Sequence, residues 1–204
     1  RMPFYDEIAR TPLFIWDPRC GKKGERRSSL TQTIDLGPTL LDFFDRQILP
    51  DTQGKPLRET IASDTPVREA GIYGVHGSHV NVTDGHHVYM RAAATEDGGP
   101  LYEYTHMPTH MRSFFGVDAL KTAQLQPPFS FTKGCPTMKV KVSPGGWGKS
   151  QDFGNLLFDM DKDPKQEKPI QDDAAEKKMT EHLVRVMKET DAPAEQYERL
   201  GLKA

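Results

Sequence analysis

The sequence has 204 residues, of which 36% are hydrophobic and 27% are charged, with a formal net charge of -2. This is the composition of an ordinary globular chain, and no apolar run approaches the ~20 residues of a membrane-spanning helix. The nearly balanced charge argues against a dedicated nucleic-acid-binding protein. Two cysteines, Cys20 and Cys135, are too few for a disulfide framework or a zinc finger. The compartment stays open.

The sequence starts with Arg1 and not with methionine, and residues 1–5 contain no apolar stretch of the kind that signal peptides carry. We therefore expect either that a leader was removed or that the sequence is a piece of a longer protein. The first predicted element is the run Leu-Phe-Ile-Trp at residues 13–16. Because it is apolar at every position, it is typical of a strand buried on both faces, and residues 1–12 cannot supply the layers that would cover it.

An exposed loop, rich in glycine and charge, is predicted over residues 20–29. Its basic side chains, together with Arg19, leave open a role in attracting anions to the rim of a cleft. A helix is predicted over residues 38–48, because Pro38 suits the first helical position and Asp35 can accept hydrogen bonds from the opening amides. Apolar residues recur in it at helical spacing, namely Leu40, Leu41, Phe44 and Ile48.

Residues 50–67, which include three prolines, are predicted to form an irregular connection to a β-rich part. Five strands are predicted there, over residues 69–82, 86–92, 101–105, 138–142 and 155–160. The Asp-Gly pair at 84–85 lies between two of these runs and is a strong hairpin signal. A short helix is predicted over residues 117–124.

A longer helix is predicted after the acidic pair at 172–173. Its apolar face consists of Ala175, Met179, Leu183, Val186 and Met187. Glu181 and Arg185 should form an ion pair one turn apart. The sequence thus predicts an α+β chain in two parts. Residues 1–67 hold a strand, a basic loop, a helix and a linker, and residues 68–204 hold a small, about four-stranded antiparallel sheet packed by the terminal helix.

Histidines are the most concentrated of the chemically versatile residues, with six of the seven between residues 76 and 110. On a regular strand His76 and His79 would point to opposite faces. Pro108 argues against a helix that would bring His106 and His110 together. A zinc ion needs three or four converging ligands, so we predict no metal site. These four histidines are the candidates for contact with a substrate, and the alternative is ordinary hydrogen-bonded or surface residues.

Other catalytic patterns are incomplete. Cys135 is predicted to be structural, because Lys133 is the only nearby cation that could favour a thiolate. Asp159, Asp161 and Asp163 alternate like the start of a calcium loop, but proline follows where that loop requires glycine. The sequence has neither a glycine-rich phosphate loop nor a Gly-x-Ser-x-Gly turn. We therefore predict no catalytic residue in this chain.

Three stretches, in the right order, resemble sulfatases. Residues 2–15 (MPFYDEIARTPLFI) resemble the segment in which a Tyr-Glu motif leads to an Arg-x-Pro-Leu strand. Residues 34–42 (IDLGPTLLD) are similar to the helix opening Asp-Leu-x-Pro-Thr-Leu-Leu, and residues 155–164 (NLLFDMDKDP) to the signature Leu-Tyr-Asp-Leu-x-x-Asp-Pro near sulfatase C-termini. Residues 54–57 (GKPL) also fit the family's Gly-x-Ser-Leu element, with proline in place of serine.

This resemblance implies the C-terminal portion of a sulfatase of the alkaline phosphatase superfamily, with residues 1–67 as the end of the catalytic α/β domain. Such enzymes hydrolyse sulfate esters with a formylglycine made from Cys-x-Pro-x-Arg and with a bound calcium ion. Residues 135–139 (CPTMK) do not match that motif. The family's Asp-His-Gly metal motif and active-site lysine would lie ahead of Arg1. The resemblance therefore implies a chain that has no cofactor of its own and is inactive alone.

The resemblance implies two partners, the upstream catalytic domain and, for the parent enzyme, a sulfate ester. Because an unpaired apolar edge recruits another chain, we also expect self-association through residues 10–18 and the neighbouring helix, the alternative being that this segment folds back on the small sheet. We expect no nucleic acid and no membrane as a partner. The chain would then contribute structure, the rim of a substrate cleft or oligomer contacts. One alternative is the same region of a phosphonate or phosphate monoester hydrolase. Another is a stand-alone, non-enzymatic, β-rich module for binding or oligomerisation.

Overall fold

The computed structural model describes residues 3–107, 109–110, 112–143 and 149–203. The helices are α1 (Asp6–Ala9), α2 (Leu36–Phe43), α3 (Arg58–Ser63), α4 (Val117–Leu120), α5 (Asp173–Glu189) and α6 (Ala194–Arg199). The strands are β1 (Gly71–Gly74), β2 (Val80–Thr83), β3 (His87–Arg91), β4 (Tyr102–Thr105), β5 (Gln124–Gln126), β6 (Thr137–Lys141) and β7 (Leu156–Asp159). In this part of the chain, no helix is long and apolar enough to cross a membrane.

The strands form two antiparallel sheets. Four strands lie in the order β1-β2-β3-β7, and three lie in the order β4-β6-β5. The predicted α+β class, with a four-stranded antiparallel sheet and a C-terminal helix, is confirmed. The predicted strands at 101–105 and 138–142 form a second sheet with β5, which the sequence did not indicate.

The hairpin of β2 and β3 turns at the predicted Asp-Gly pair. The Asp84 carboxylate accepts hydrogen bonds from the backbone N–H groups of His86 and His87 at 3.0 and 2.8 Å. Gly85 supplies the positive φ of 92° that L side chains rarely adopt. The predicted strand over residues 69–82 is two strands, because the chain reverses after Gly74 and β1 pairs with β2.

Helix α5 covers one face of the four-stranded sheet. Four of its predicted apolar residues are buried, namely Met179, Leu183, Val186 and Met187. They share one core with Tyr89 and Leu157 of the sheet. The Asp172 carboxylate caps the helix, accepting a hydrogen bond from the Ala175 N–H at 3.0 Å. The long amphipathic helix is therefore confirmed in extent and orientation.

The opposite face of this sheet is covered by the first described residues. Its small core consists of Val88, Met90 and Phe158, with Tyr5 packed against them. The Asn81 side chain donates a hydrogen bond to the Phe4 carbonyl at 2.7 Å, and the Asp6 N–H donates one to the Gln166 side chain at 2.6 Å. The start of the sulfatase-like segment is thus docked on the sheet, although its Met2 lies outside the described residues.

The predicted strand at residues 13–16 is wrong. Every described strand is already placed in one of the two sheets, and none of them pairs with this segment. Phe14 and Trp16 are accordingly 93% and 71% exposed. The apolar pattern therefore does not correspond to a buried strand among the described residues.

Helix α2 is shorter than predicted, ending at Phe43 instead of residue 48. Asp45 follows with a positive φ of 52°, which is incompatible with continuing the helix. The predicted apolar face is only partly buried, since Leu40 and Phe44 are exposed. The buried residues of the helix are Pro38 and Thr39.

Asp35 joins three separate segments of the chain. Its carboxylate is fully buried, accepts hydrogen bonds from the backbone N–H groups of Gln32 at 2.8 Å and Lys55 at 2.9 Å, and forms an ion pair with Arg68. The prediction that Asp35 bonds to the opening amides of the helix is wrong, because its side chain makes no such bond. It serves instead to fasten the front of the chain to the start of the β-rich part.

Some elements were not anticipated. The connection at residues 50–67 contains helix α3, and Gly54 lies so close to the Ile34 carbonyl oxygen that a Cβ there would clash. The predicted helix at residues 117–124 ends at Leu120, and β5 follows. Helix α6 comes after α5 without a clear periodic pattern. The predicted Glu181 pair is replaced, since Arg185 bonds to Glu189 and Glu69.

Candidate functional site

Strand β4 gathers two of the four candidate histidines. His76, in the turn between β1 and β2, places its Nε2 atom 3.0 Å from the Tyr102 carbonyl oxygen. His110 places its Nδ1 atom 3.8 Å from the Glu103 carboxylate. Tyr102 and Glu103 are neighbours on β4, so the two imidazoles meet the same end of one strand.

His106 follows β4 after Thr105 and is exposed, as are His76 and His110. The His110 ring also lies against the buried Phe115 ring, with 4.0 Å between their centroids. His76 and His110 therefore lie beside the first residues of β4, whereas His106 follows its last residue. Exposed imidazoles along one strand could donate hydrogen bonds to an anionic or hydroxyl-rich ligand. Pro108, on which the prediction for His106 and His110 relied, lies outside the described residues.

His79 is separate from these three and only 1% exposed. Its Nε2 atom is 2.9 Å from the Gly154 carbonyl oxygen, which can only accept, so Nε2 carries the proton. Its buried Nδ1 atom has no hydrogen-bond partner in the described chain. Burial, together with the nearby Arg199 cation, lowers the pKa of His79. This histidine belongs to the interior.

Arg199 is a buried cation without a carboxylate partner in the described residues. Its guanidinium donates hydrogen bonds to the Gly98 carbonyl at 2.9 Å and the Ser78 carbonyl at 2.7 Å. Burial lowers its pKa. The side chain ties α6 to the turn that carries His76 and His79, and so fixes the position of that turn.

The other face of β4 is anchored to α6. The Lys139 ammonium lies 4.2 Å from the centroid of the Tyr102 ring and forms an ion pair with Glu195. The Tyr104 hydroxyl donates a hydrogen bond to the same carboxylate, and burial raises the pKa of Tyr104. These contacts link β4 to α6 on the side of the strand that carries the Tyr102 and Tyr104 rings.

The basic loop is largely neutralised by its own neighbours. Arg19 bonds to the carboxylates of Asp17 at 2.7 Å and Asp42 at 2.8 Å, and lowers the pKa of Asp17. Arg27 donates to backbone carbonyls of α3 and to Glu25. Lys23 and Arg26 are the loop's cations without an ion-pair partner among the described residues.

The described residues do not fit the cofactors that the sulfatase resemblance implies. Across residues 3–107, 109–110, 112–143 and 149–203, no three His, Cys, Asp or Glu side chains are grouped closely enough to hold a metal ion. Asp159 is paired with Lys162, and Asp161 with His86. Cys135 is exposed in a sequence that lacks the formylglycine motif, and burial raises the pKa of Cys20.

Sequence reasoning missed several parts of this arrangement. Nothing in the spacing indicated that Glu103 and Phe115 flank His110, or that Tyr102 binds His76, because these contacts cross between separate elements. Arg199 lies in a short helix whose pattern carried no signal of burial. Glu195, Gln196 and Glu198 surround it in the sequence, which is typical of an exposed helix.

Comparison with known proteins finds similarity to sulfatases over about a third of the chain. No family model matches the chain. The chain is 34% identical over 73 residues to an N-acetylglucosamine-6-O-sulfatase of Bacteroides thetaiotaomicron. The aligned region is 34% of this chain and 13% of that protein. It is 35% identical over 75 residues to an arylsulfatase of Clostridium perfringens. The aligned region is 35% of this chain and 16% of that protein. The expected resemblance to sulfatases is confirmed over these segments, which are a small part of the relatives' length.

Two solved structures are similar at a distance. One is a complex with its substrate D-glucosamine-2-N,6-O-disulfate, and it matches with a TM-score of 0.47 and 14% sequence identity. The match covers 83% of this chain and 26% of the chain in that structure. The other, from a study of the metabolism of multiple glycosaminoglycans by Bacteroides thetaiotaomicron, has a TM-score of 0.44 and 12% identity and covers 79% of this chain and 26% of its own.

Proposed function

We propose that this chain is the C-terminal region of a sulfuric ester hydrolase. The observation that carries the proposal is the identity of 34% and 35% to two proteins named as sulfatases. The order of the three sulfatase-like motifs along the chain supports the same conclusion. In the whole enzyme, residues 1–67 would complete the catalytic α/β domain, which is the proposed partner of this region.

The chain on its own is proposed to be inactive. Cys135 lacks the residues that direct formylglycine formation, and the described side chains offer no calcium site. The nucleophile and the metal ligands are therefore assigned to a part of the enzyme outside this sequence. What this region would contribute is a fixed surface, held by Arg199 and Glu195, beside the substrate cleft.

The histidines around β4 are proposed to face the substrate. His76 and His110 are exposed beside the first residues of β4, and His106 is exposed directly after its last residue, whereas His79 is buried and is not part of this surface. Neutral imidazoles can donate hydrogen bonds to sugar hydroxyls, and protonated ones attract a sulfate group. Their role would be to orient the ester, with no part in bond cleavage.

The first test uses the 204-residue chain and the coding sequence ahead of Arg1. We expect no hydrolysis of para-nitrophenyl sulfate or para-nitrophenyl phosphate and no calcium-dependent rise in melting temperature, because an ion that does not bind cannot stabilise the fold. The preceding sequence should encode Cys-x-Pro-x-Arg and Asp-His-Gly. A natural start at Met2, or turnover that Cys135→Ala abolishes, would contradict the proposal.

The second test uses the whole enzyme. His76→Ala and His110→Ala should each raise KM for a sulfate ester by about tenfold, the value of one lost hydrogen bond, with little change in kcat. His86→Ala is the matched control, since His86 is also exposed but pairs with Asp161 on the other sheet. An unchanged KM for both variants would remove the histidines from the cleft and leave the sulfatase assignment intact.

A further inference from the structure

The segment at residues 12–16 is the most conspicuous unsatisfied part of the described chain. No backbone hydrogen bond joins it to another described residue. Exposure alternates along it, at 47% for Leu13, 93% for Phe14, 39% for Ile15 and 71% for Trp16. A period of two is that of an extended chain, whose side chains point alternately to opposite sides.

Such a segment favours a partner that offers both a strand edge and apolar side chains. Unpaired N–H and C=O groups recruit another strand, and exposed aromatic rings recruit an apolar layer. The same segment of another molecule supplies both at once. We propose that, in the 204-residue chain, residues 12–16 pair with residues 12–16 of a second copy as a two-stranded antiparallel ribbon.

Charge favours the antiparallel direction. Glu7 is exposed on α1, ahead of the segment, and Lys23 and Arg26 are exposed on the basic loop after it. Antiparallel pairing brings residues 6–10 of one copy, in which Asp6, Glu7 and Arg10 sum to a charge of -1, toward the basic loop of the other. Parallel pairing would place like charges together. The arrangement is also closed, because each copy uses the same surface.

Pro12 restricts the register. A two-fold antiparallel pair sets even-numbered residues opposite even-numbered ones, and Pro12 has no N–H to donate, so it must occupy a non-hydrogen-bonded position. Phe14 and Trp16 then share that type of position, while Leu13 and Ile15 form the ladder bonds. If the two-fold axis passes through Phe14, all five residues of one copy lie opposite the five residues of the other. Phe14 then lies opposite Phe14 of the second copy.

The area involved sets the strength of the association. An aromatic side chain buries about 150–250 Å², so Phe14 and Trp16 supply on the order of 300 Å² per copy. A stable interface needs roughly 800 Å² per partner. The exposed side chains of Leu40, in α2, and Phe44, directly after it, add apolar surface on a helix that Arg19 links to Asp17 through Asp42. We therefore expect dissociation in the micromolar range.

Sedimentation velocity across the micromolar range tests the proposal directly. The wild-type chain should shift from monomer to dimer, and Phe14→Lys should weaken the dimer at least tenfold. Phe114→Lys is the matched control, because Phe114 is 81% exposed elsewhere in the chain. Circular dichroism melting confirms that each variant is folded. A wild-type chain that stays monomeric, or a dimer that survives Phe14→Lys, would overturn the proposal.

Hydrogen exchange tests the ribbon itself. On dimer formation the amides of Leu13 and Ile15 should gain protection, while those of Phe14 and Trp16 should not, whichever residue lies on the two-fold axis. Protection of all four amides, or of the even-numbered pair, would reject a symmetric antiparallel ribbon. This inference does not depend on the sulfatase assignment, so the two can fail separately.

Discussion

His79 shows how one buried side chain can make the stability of this fold depend on pH. Its imidazole is enclosed, with Nε2 on the Gly154 carbonyl and Arg199 nearby, and burial lowers its pKa. The folded protein therefore binds fewer protons than the unfolded chain just below the ordinary pKa of 6.5. Its contribution to stability is complete above that pH and declines as the pH falls.

We accordingly expect the free energy of unfolding, measured by urea titration, to fall between about pH 7 and pH 5. His79→Gln, which keeps a donor for the Gly154 carbonyl, should reduce that slope. His76→Gln, at an exposed position in the same turn, should leave the slope as it is in the wild type. Equal slopes for all three proteins would show that another group controls the acid response.

The same residue also shows where sequence reasoning reaches its limit. The sequence identified His76, His79, His106 and His110 as one set of candidates. Burial separates His79 from the rest, and burial depends on the Gly154 segment and on α6, which are distant along the chain. The spacing of the histidines in the sequence does not reveal such distant partners, so it could not distinguish the buried His79 from the three exposed histidines.

At the scale of elements, the sequence correctly predicted those structures that depend on residues close together in the chain. The Asp-Gly turn and the apolar stripe of α5 were found because a hairpin and an amphipathic helix depend on neighbours in sequence. The strand at 13–16 and the full length of α2 failed because both depend on distant partners. Helix α3 was missed because three prolines in its surroundings suggested irregular chain.

The contact between residue 54 and the start of α2 offers a test with a built-in control. Gly54→Ala should lower the free energy of unfolding by about 1–3 kcal/mol, because its methyl group would clash with the Ile34 carbonyl. Gly37→Ala, inside α2 with open space around it, should raise it by about 0.5–1 kcal/mol. Chemical denaturation measures both, and a harmless Gly54→Ala would show that this contact is loose.

At the scale of the whole molecule, the front segment is the part whose apolar side chains lack cover among the described residues. The apolar run at residues 13–16 was predicted to need covering layers, and in the described chain it is exposed. In the whole enzyme the proposed catalytic domain would cover this run, and in the 204-residue chain the proposed second copy would do so. The predicted boundary at residue 67 remains a prediction, since the contacts alone do not divide the chain there.

The ion pair between Asp35 and Arg68 has a consequence for how the molecule comes apart. It crosses that predicted boundary, and Asp35 also holds the backbone at Gln32 and Lys55. Removing one partner of a buried pair costs about 3–5 kcal/mol, so the link can couple the melting of both parts. We expect one sharp transition for the wild-type chain, and for Arg68→Ala a broad or two-step transition with a smaller m-value. Arg46→Ala, at an exposed position, should keep the single step, and a sharp transition in Arg68→Ala would mean that cooperativity arises elsewhere.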